Sequence, residues 1–152
     1  MNSPLKASSG EIIRLADYKG KAVLLAWLDT SCGFTDKGCR MVSSLVKLKN
    51  VYGSRGVKVI GLVLTYPGSN SRRASNLLKR FVADRRINFP VVWHDSKFSY
   101  DVSSYDEFGY MSFPQIFVIS RDGRIVKRVR GFNPQKDPAV LSEAIEQEIK
   151  RS

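Results

Sequence analysis

Between Trp27 and Arg40 the chain reads W-L-D-T-S-C-G-F-T-D-K-G-C-R and holds both of its cysteines, Cys32 and Cys39. Upstream, Lys21 to Asp29 is a continuous apolar run of the kind buried on both faces of a sheet. Downstream, Met41, Val42, Leu45, Leu48 and Tyr52 recur at helical spacing. The thiols therefore sit in the connection from a buried strand to a helix. That helix ends at Gly53 or Gly56, where a left-handed cap costs little, and Val57 to Thr65 is a second buried strand. Strand, helix and strand in this order make a βαβ unit with parallel strands and a right-handed crossover.

Further out, Glu11 to Leu15 alternates weakly as a short strand, and Asp17 to Gly20 turns the chain into the first buried run. Beyond the polar loop Tyr66 to Ser71, a second helix has Ala74, Leu77, Leu78, Phe81 and Val82 as its apolar face. Asn88 to Trp93 is a short extended segment that Pro90 confines to an edge or to a position without pairing. Phe98 to Phe108 fits neither period. Gln115 to Ser120 and Ile125 to Arg130 flank Arg121-Asp122-Gly123-Arg124, a strong hairpin signal. Pro138 opens a final helix with Leu141, Ala144, Ile145 and Ile149 facing inward. The predicted class is α/β: a central mixed β-sheet flanked by helices, with a C-terminal β-hairpin and helix.

A chain of 152 residues with 43% hydrophobic content suffices for one core and is short for two, so residues 1–152 are expected to form one domain. Residues 1–9 are expected to be a flexible N-terminal segment. No apolar run approaches the roughly 20 residues of a membrane span, and the first ten residues contain no apolar signal core. The formal charge of +11 comes from 25 Lys and Arg against 14 Asp and Glu. Basic pairs at Arg72-Arg73, Lys79-Arg80, Arg85-Arg86 and Lys127-Arg128 are dispersed, which suits a solvated surface attractive to acidic partners. No finger, basic zipper or RNA-binding motif accompanies the charge, so specific nucleic-acid recognition is not expected. A monomer is.

Two stretches carry a resemblance. G-E-I-I-R-L-A-D-Y-K-G-K-A-V-L-L-A-W, from Gly10 to Trp27, resembles the entry of the TlpA/ResA-like thiol-disulfide oxidoreductases and of the neighbouring AhpC/TSA peroxiredoxins. F-G-Y-M-S-F-P-Q-I-F-V-I-S-R-D-G-R-I-V, from Phe108 to Val126, resembles their second landmark, in which a proline starts the strand facing the active site. The resemblance implies a thioredoxin-like fold, a cis Pro114, a protein thiol or disulfide as partner, no cofactor and an extracytoplasmic location. It makes Cys32 the attacking thiol and Cys39 the resolving one. Phe34, Ser112, Phe113 and Pro114 would line the substrate groove.

The sequence departs from the redox-active members in having C-x6-C in place of C-x-x-C. Counting forward from Lys21, Cys32 falls on the family's first cysteine and Thr35 on its partner. Counting back from Gly56-Val57, Cys39 falls within one residue of that partner, which implies an insertion inside the loop. The buried Glu of many TlpA/ResA-like helices is missing from Met41-Val42-Ser43, and Ala26 stands where thioredoxins bury an Asp. Asp29 and Asp36 are the nearest candidate proton acceptors, although a strand-end residue and a helix cap are the better descriptions of them.

Disulfide exchange needs a thiolate, which a helix N-terminus and cations such as Lys37 and Arg40 stabilise. It also needs the two α-carbons within about 7 Å, and Gly33 and Gly38 permit a loop that tight. If Asp36 caps the helix, Cys39 lies in its first turn and the two thiols exchange roles. Three other readings compete. A peroxidase would place Thr three residues before its reactive cysteine, whereas Thr35 is four before Cys39. A copper site of the Sco kind would use Cys32, Cys39 and His94, though a lone histidine after an extended segment is more simply a loop residue. A binding module without catalysis would keep the thiols free or as a staple. Trp27 reads as core, and Phe34 as the exposed aromatic.

Overall fold

The computed structural model describes residues 5–7, 9–28, 36–64, 72–94 and 115–151. The described elements are β1 (Leu5–Lys6), β2 (Ile12–Ile13), β3 (Ala22–Leu28), α1 (Asp36–Tyr52), β4 (Val57–Leu64), α2 (Arg72–Asp84), β5 (Val91–His94), β6 (Gln115–Ile119), β7 (Ile125–Arg130) and α3 (Asp137–Lys150). Five strands make a mixed sheet in the order β5-β4-β3-β6-β7. The neighbours β3 and β4, and β4 and β5, run parallel; β6 runs antiparallel to β3 and to β7.

Every residue of β3 is buried, because apolar layers cover both faces of this central strand. On one face Leu24, Ala26 and Leu28 belong to a cluster with Met41, Leu45, Leu78, Phe81, Leu141 and Ile145, which brings α1, α2 and α3 onto the same side. Val23, Leu25 and Trp27 point to the other face and meet Ile13, Leu15, Ile60, Val92 and Phe117. The alternation of a strand is thus masked by burial on both sides. Each fully buried leucine of these layers contributes about 1.5–3 kcal/mol.

Local chemistry sets the element ends. α1 passes through the 3-10 turn Gly53–Arg55 into Gly56, whose φ of 87° is cheap for a residue without Cβ. Pro138 enters at the first turn of α3, where its missing N–H is harmless. Pro90 precedes β5, an edge strand of the five-stranded sheet, and its carbonyl accepts a hydrogen bond from Gly61 N at 2.9 Å. The β6–β7 turn closes through Ser120 N to Arg124 O at 2.7 Å, with Gly123 at a φ of 87°. The register shifts beside it: Ile119 faces Ile125 but Val118 faces Lys127, so Val126 is an extra residue, a β-bulge.

Two expectations need correction. Leu77 is 55% exposed, because Leu78 and Phe81 take the seam against the sheet and an adjacent residue is rotated about 100° away on a helix. Within the N-terminal stretch, β1 pairs with β2, and Ala7 bridges Val92 at the β5 edge. Leu15 opens a 3-10 turn, Leu15–Tyr18, and does not extend the preceding strand. Phe98 to Phe108 lies outside the described residues. Among those described, no helix is long and apolar enough to cross a membrane.

Candidate active site

The parallel strands β3, β4 and β5 end at one edge of the sheet, and antiparallel β6 begins there, since Gln115 pairs with Trp27. Carboxyl ends of strands with helical crossovers are where such sheets collect ligands. Residues 29–35 connect the end of β3 to α1, so the N-terminus of α1 is tethered to the same edge. Its first backbone N–H groups have no partner within the helix, and together with the macrodipole they make this end electropositive. Cys39 is the fourth residue of α1 and belongs to this first turn, although its side chain is not among those described. Asp36 is the first helical residue, which moves the capping position one residue upstream of the expected one.

Cys32, Phe34, Ser112, Phe113 and Pro114 lie outside the described residues. Chain continuity places Cys32 between β3 and α1, and Pro114 directly before Gln115. His94 closes β5 opposite Leu64, with β4 between it and β3. At the usual strand spacing its backbone is about 10 Å from β3. Trp27 is 1% exposed, a core residue as the sequence indicated. Ala26 is wholly buried within the helix-side cluster, so the position where thioredoxins hold a carboxylate is apolar here. Among the described residues the buried carboxylate is Glu148, which accepts from Arg121 N at 2.9 Å near the β6–β7 turn, away from the α1 N-terminus.

At the start of β6 the structure assembles a group that the sequence did not single out. Gln115 is 2% exposed and accepts a hydrogen bond from Arg128 Nε at 3.1 Å. Arg128 lies directly opposite Phe117, and its guanidinium carbon stands 5.4 Å from that ring's centroid. Phe117 in turn meets Trp27 edge to face at 5.1 Å and 71°. The guanidinium reaches diagonally along the sheet toward the start of β6, the end where Pro114 joins. Its Nη2 is buried without a hydrogen-bond partner among the described residues. A buried orphan donor costs about 1–3 kcal/mol. Burial disfavours the cation and lowers the Arg128 pKa, and nearby Arg130 adds to the effect. The signal available in advance was slight: a glutamine following the landmark proline, and a cation on an alternating strand.

A mixed sheet with this strand order, a helix starting after its central strand and a C-terminal hairpin and helix define a thioredoxin-like protein. A DsbE-type thiol:disulfide interchange protein from Chlorobium tepidum superposes with a TM-score of 0.74 at 20% identity, covering 98% of this chain and 94% of that one. The AhpC/TSA family pattern matches residues 2–128, and the chain belongs to that family. Among curated relatives, glutathione peroxidase 1 of Caenorhabditis elegans is 26% identical over 95% of this chain and 93% of its own. The thiol-disulfide oxidoreductase ResA of Bacillus subtilis (strain 168) is 28% identical over 86% of this chain; the match spans 64% of ResA. The ResA similarity agrees with the TlpA/ResA-like resemblance of the two landmark stretches.

Proposed function

We propose that this chain is a thiol-disulfide oxidoreductase that exchanges disulfides with a partner protein through Cys32 and Cys39. What supports the reading is one juxtaposition: the first turn of α1, which carries Cys39, and the start of β6, which follows Pro114, belong to the same end of the sheet. The Cys32 thiolate attacks a disulfide sulfur of the partner, forming a mixed disulfide and releasing one partner thiolate. The Cys39 thiolate then attacks the Cys32 sulfur and releases the second. The chain is left with an intramolecular disulfide and the partner has gained two electrons. The macrodipole of α1 favours the thiolate in its first turn. Phe34, Ser112, Phe113 and Pro114 shape the groove in which the partner lies. The protein works outside the cytoplasm as a monomeric single domain.

Equilibration in graded glutathione buffers, alkylation of free thiols and mass spectrometry of the two cysteines test this directly. A reversible Cys32–Cys39 bridge within the physiological range of potentials is expected. Thiols that remain free in every buffer, or a bridge that no buffer reduces, would sink the mechanism. A second reading, thiol peroxidase, draws on the similarity to the Caenorhabditis elegans glutathione peroxidase across nearly the whole chain. Fast hydrogen peroxide consumption that survives substitution of one cysteine would favour it over protein disulfide exchange.

A further inference from the structure

The apolar layer on the sheet face that carries Val23, Leu25 and Trp27 is not closed at every point. Where the start of β3 meets the end of β6, Val23 beside Ile119, a cavity of about 170 Å³ opens on the surface. Four residues of strand separate Val23 from Trp27, so the cavity lies about 13 Å from the sheet edge to which α1 is tethered. Its floor is Leu15, Val23 and Ile119, all buried, and Ala16 and Tyr18 stand beside them. Close-packed interiors seldom leave such a space, because its lining forfeits contacts. Here the walls are two turns fixed to one another: Gly20 N donates to Arg121 O at 2.8 Å, Lys21 N to Tyr18 O at 2.9 Å and Gly123 N to Ser120 O at 3.0 Å. A Cβ added at Gly123, also in the lining, would meet nothing within 4 Å, so the mouth is open there. The exposed Lys19 and Lys21 belong to the same lining and have no ion pair among the described residues. The lining carboxylate, Asp122, is already engaged by Ser120, Arg124 and Arg151. Glu11 and Asp17 act on the Tyr18 phenol, whose ring also carries Lys58 Nζ at 5.3 Å, and neither acid lines the cavity. The uncommitted charge at the mouth is therefore positive.

We propose that this cavity is a binding site for a small amphipathic carboxylate, whose apolar end fills the space over Leu15, Val23 and Ile119 while its anion meets Lys19 and Lys21. An apolar cavity of about 150 Å³ holds a benzene ring, so the volume fits one ring or a chain of similar size and is too small for a larger ligand. The ring leaves water and the carboxylate does not, which spares the cost of burying a charge. Fixed walls spare the cost of ordering them. A second copy of the chain, itself at +11, would bring like charge to the same mouth. The site goes beyond disulfide exchange and does not depend on it, since it needs no thiol and lies at the other end of β3.

Hydrocinnamate, a phenyl ring on a short chain ending in a carboxylate, and its neutral amide test the site. Each is titrated into isotope-labelled, fully reduced protein at one ionic strength, and the backbone amides are followed by NMR. Saturable shifts are expected at Leu15, Val23, Ile119 and Gly123, with a dissociation constant on the order of 1 mM for the carboxylate. The amide should bind about threefold to tenfold more weakly. Lys19→Gln/Lys21→Gln should bring the two ligands within about twofold of each other. Lys47→Gln/Lys136→Gln, which removes the same charge from exposed positions outside the lining, should keep the difference. Ala16→Phe, which fills the cavity, should abolish binding of both, and the lysine variants keep the idea testable if that protein does not fold. The proposal is overturned if neither ligand binds, if the shifts gather at the first turn of α1, if amide and carboxylate bind alike, or if both lysine pairs lose the preference equally. Shifts of the same amides with protein concentration alone would give the cavity to a second copy and overturn it as well. Failure of the Cys32–Cys39 bridge in redox buffers would overturn the proposed activity and leave this result standing.

Discussion

Gly61 sits in the middle of β4, between Ala26 of β3 and Val91 of β5. A Cβ added there would stand 2.6 Å from Leu28 Cδ1 and 3.2 Å from Phe89 Cε2. Comfortable carbon contacts are about 3.5–4.0 Å, so the Leu28 methyl must retreat by about 1 Å within a close-packed layer. Overpacking of this size costs about 1–3 kcal/mol. Restricting the unfolded chain returns roughly 0.5–1 kcal/mol. Gly61→Ala should therefore destabilise by up to about 2.5 kcal/mol, or up to about 10 °C in melting temperature for a chain of this length. Urea and thermal unfolding of the fully reduced protein measure it. Leu28→Val removes the δ-methyl that the new Cβ would strike, so the cost of Gly61→Ala should shrink in that background. The double-mutant cycle should then give a coupling above about 0.5 kcal/mol. A rise in melting temperature for Gly61→Ala alone, or strict additivity with Leu28→Val, refutes the packing on which the reasoning depends.

Three further outcomes are expected. Asp122 is held from 3.8 down to about 2, first by the Ser120 hydroxyl and then by Arg124 and Arg151. A folded value below the unfolded one gives stability that is complete above pH 3.8 and lost as pH falls through about 2. Asp122→Asn should flatten the dependence of melting temperature on pH between about 4 and 2, and an unchanged slope would be contrary evidence. Arg55 holds Glu146 in a two-pronged pair at 2.7 and 3.2 Å that ties the 3-10 turn after α1 to α3. Its hydrogen bonds lower the Glu146 pKa, yet both groups face solvent, so Glu146→Gln should cost little and that little should vanish in high salt. Incubated with an oxidised protein substrate, Cys39→Ser should accumulate a mixed disulfide at Cys32; accumulation only in Cys32→Ser protein would assign attack to Cys39.

How much was legible depended on whether the signal was local. β3 could be read because seven consecutive residues are buried and nothing in the run interrupts them. The β6–β7 turn was legible because Asp122-Gly123 supplies the positive φ that the turn uses. Cys39 could be placed in a first turn only through Asp36, a capping residue type ahead of the apolar period that begins at Met41, and the helix does begin at Asp36. Leu77 misled because its helix offers two adjacent leucines, and only the position of the sheet decides which is buried. The β1–β2 pairing was missed because each strand has two residues, too few to show a period. Phe98 to Phe108 has no period to read. The Gln115–Arg128 pairing joins residues thirteen apart in sequence, and nothing near either one announces it.

That pairing depends on the bulge at Val126. Ile119 faces Ile125; without an extra residue, Val118 would face Val126, Phe117 would face Lys127, and Arg128 would lie opposite Ile116. Ile116 belongs to the helix-side core, so the cation would be driven into the apolar layer under α1 and α3. With Val126 inserted, Arg128 moves opposite Phe117 and Val129 takes the place against Ile116, where it is 6% exposed. A shift of one residue turns every following side chain to the other face. The bulge therefore does two things at once: it puts an apolar residue into the core and delivers a guanidinium to the face that carries Trp27, Phe117 and Gln115. The side chain of Val126 itself is 44% exposed, so packing of that residue does not explain its presence. The alternation that it corrects does, and the residue most affected by the correction is Arg128, whose Nε reaches Gln115 and whose Nη2 has no acceptor among the described residues.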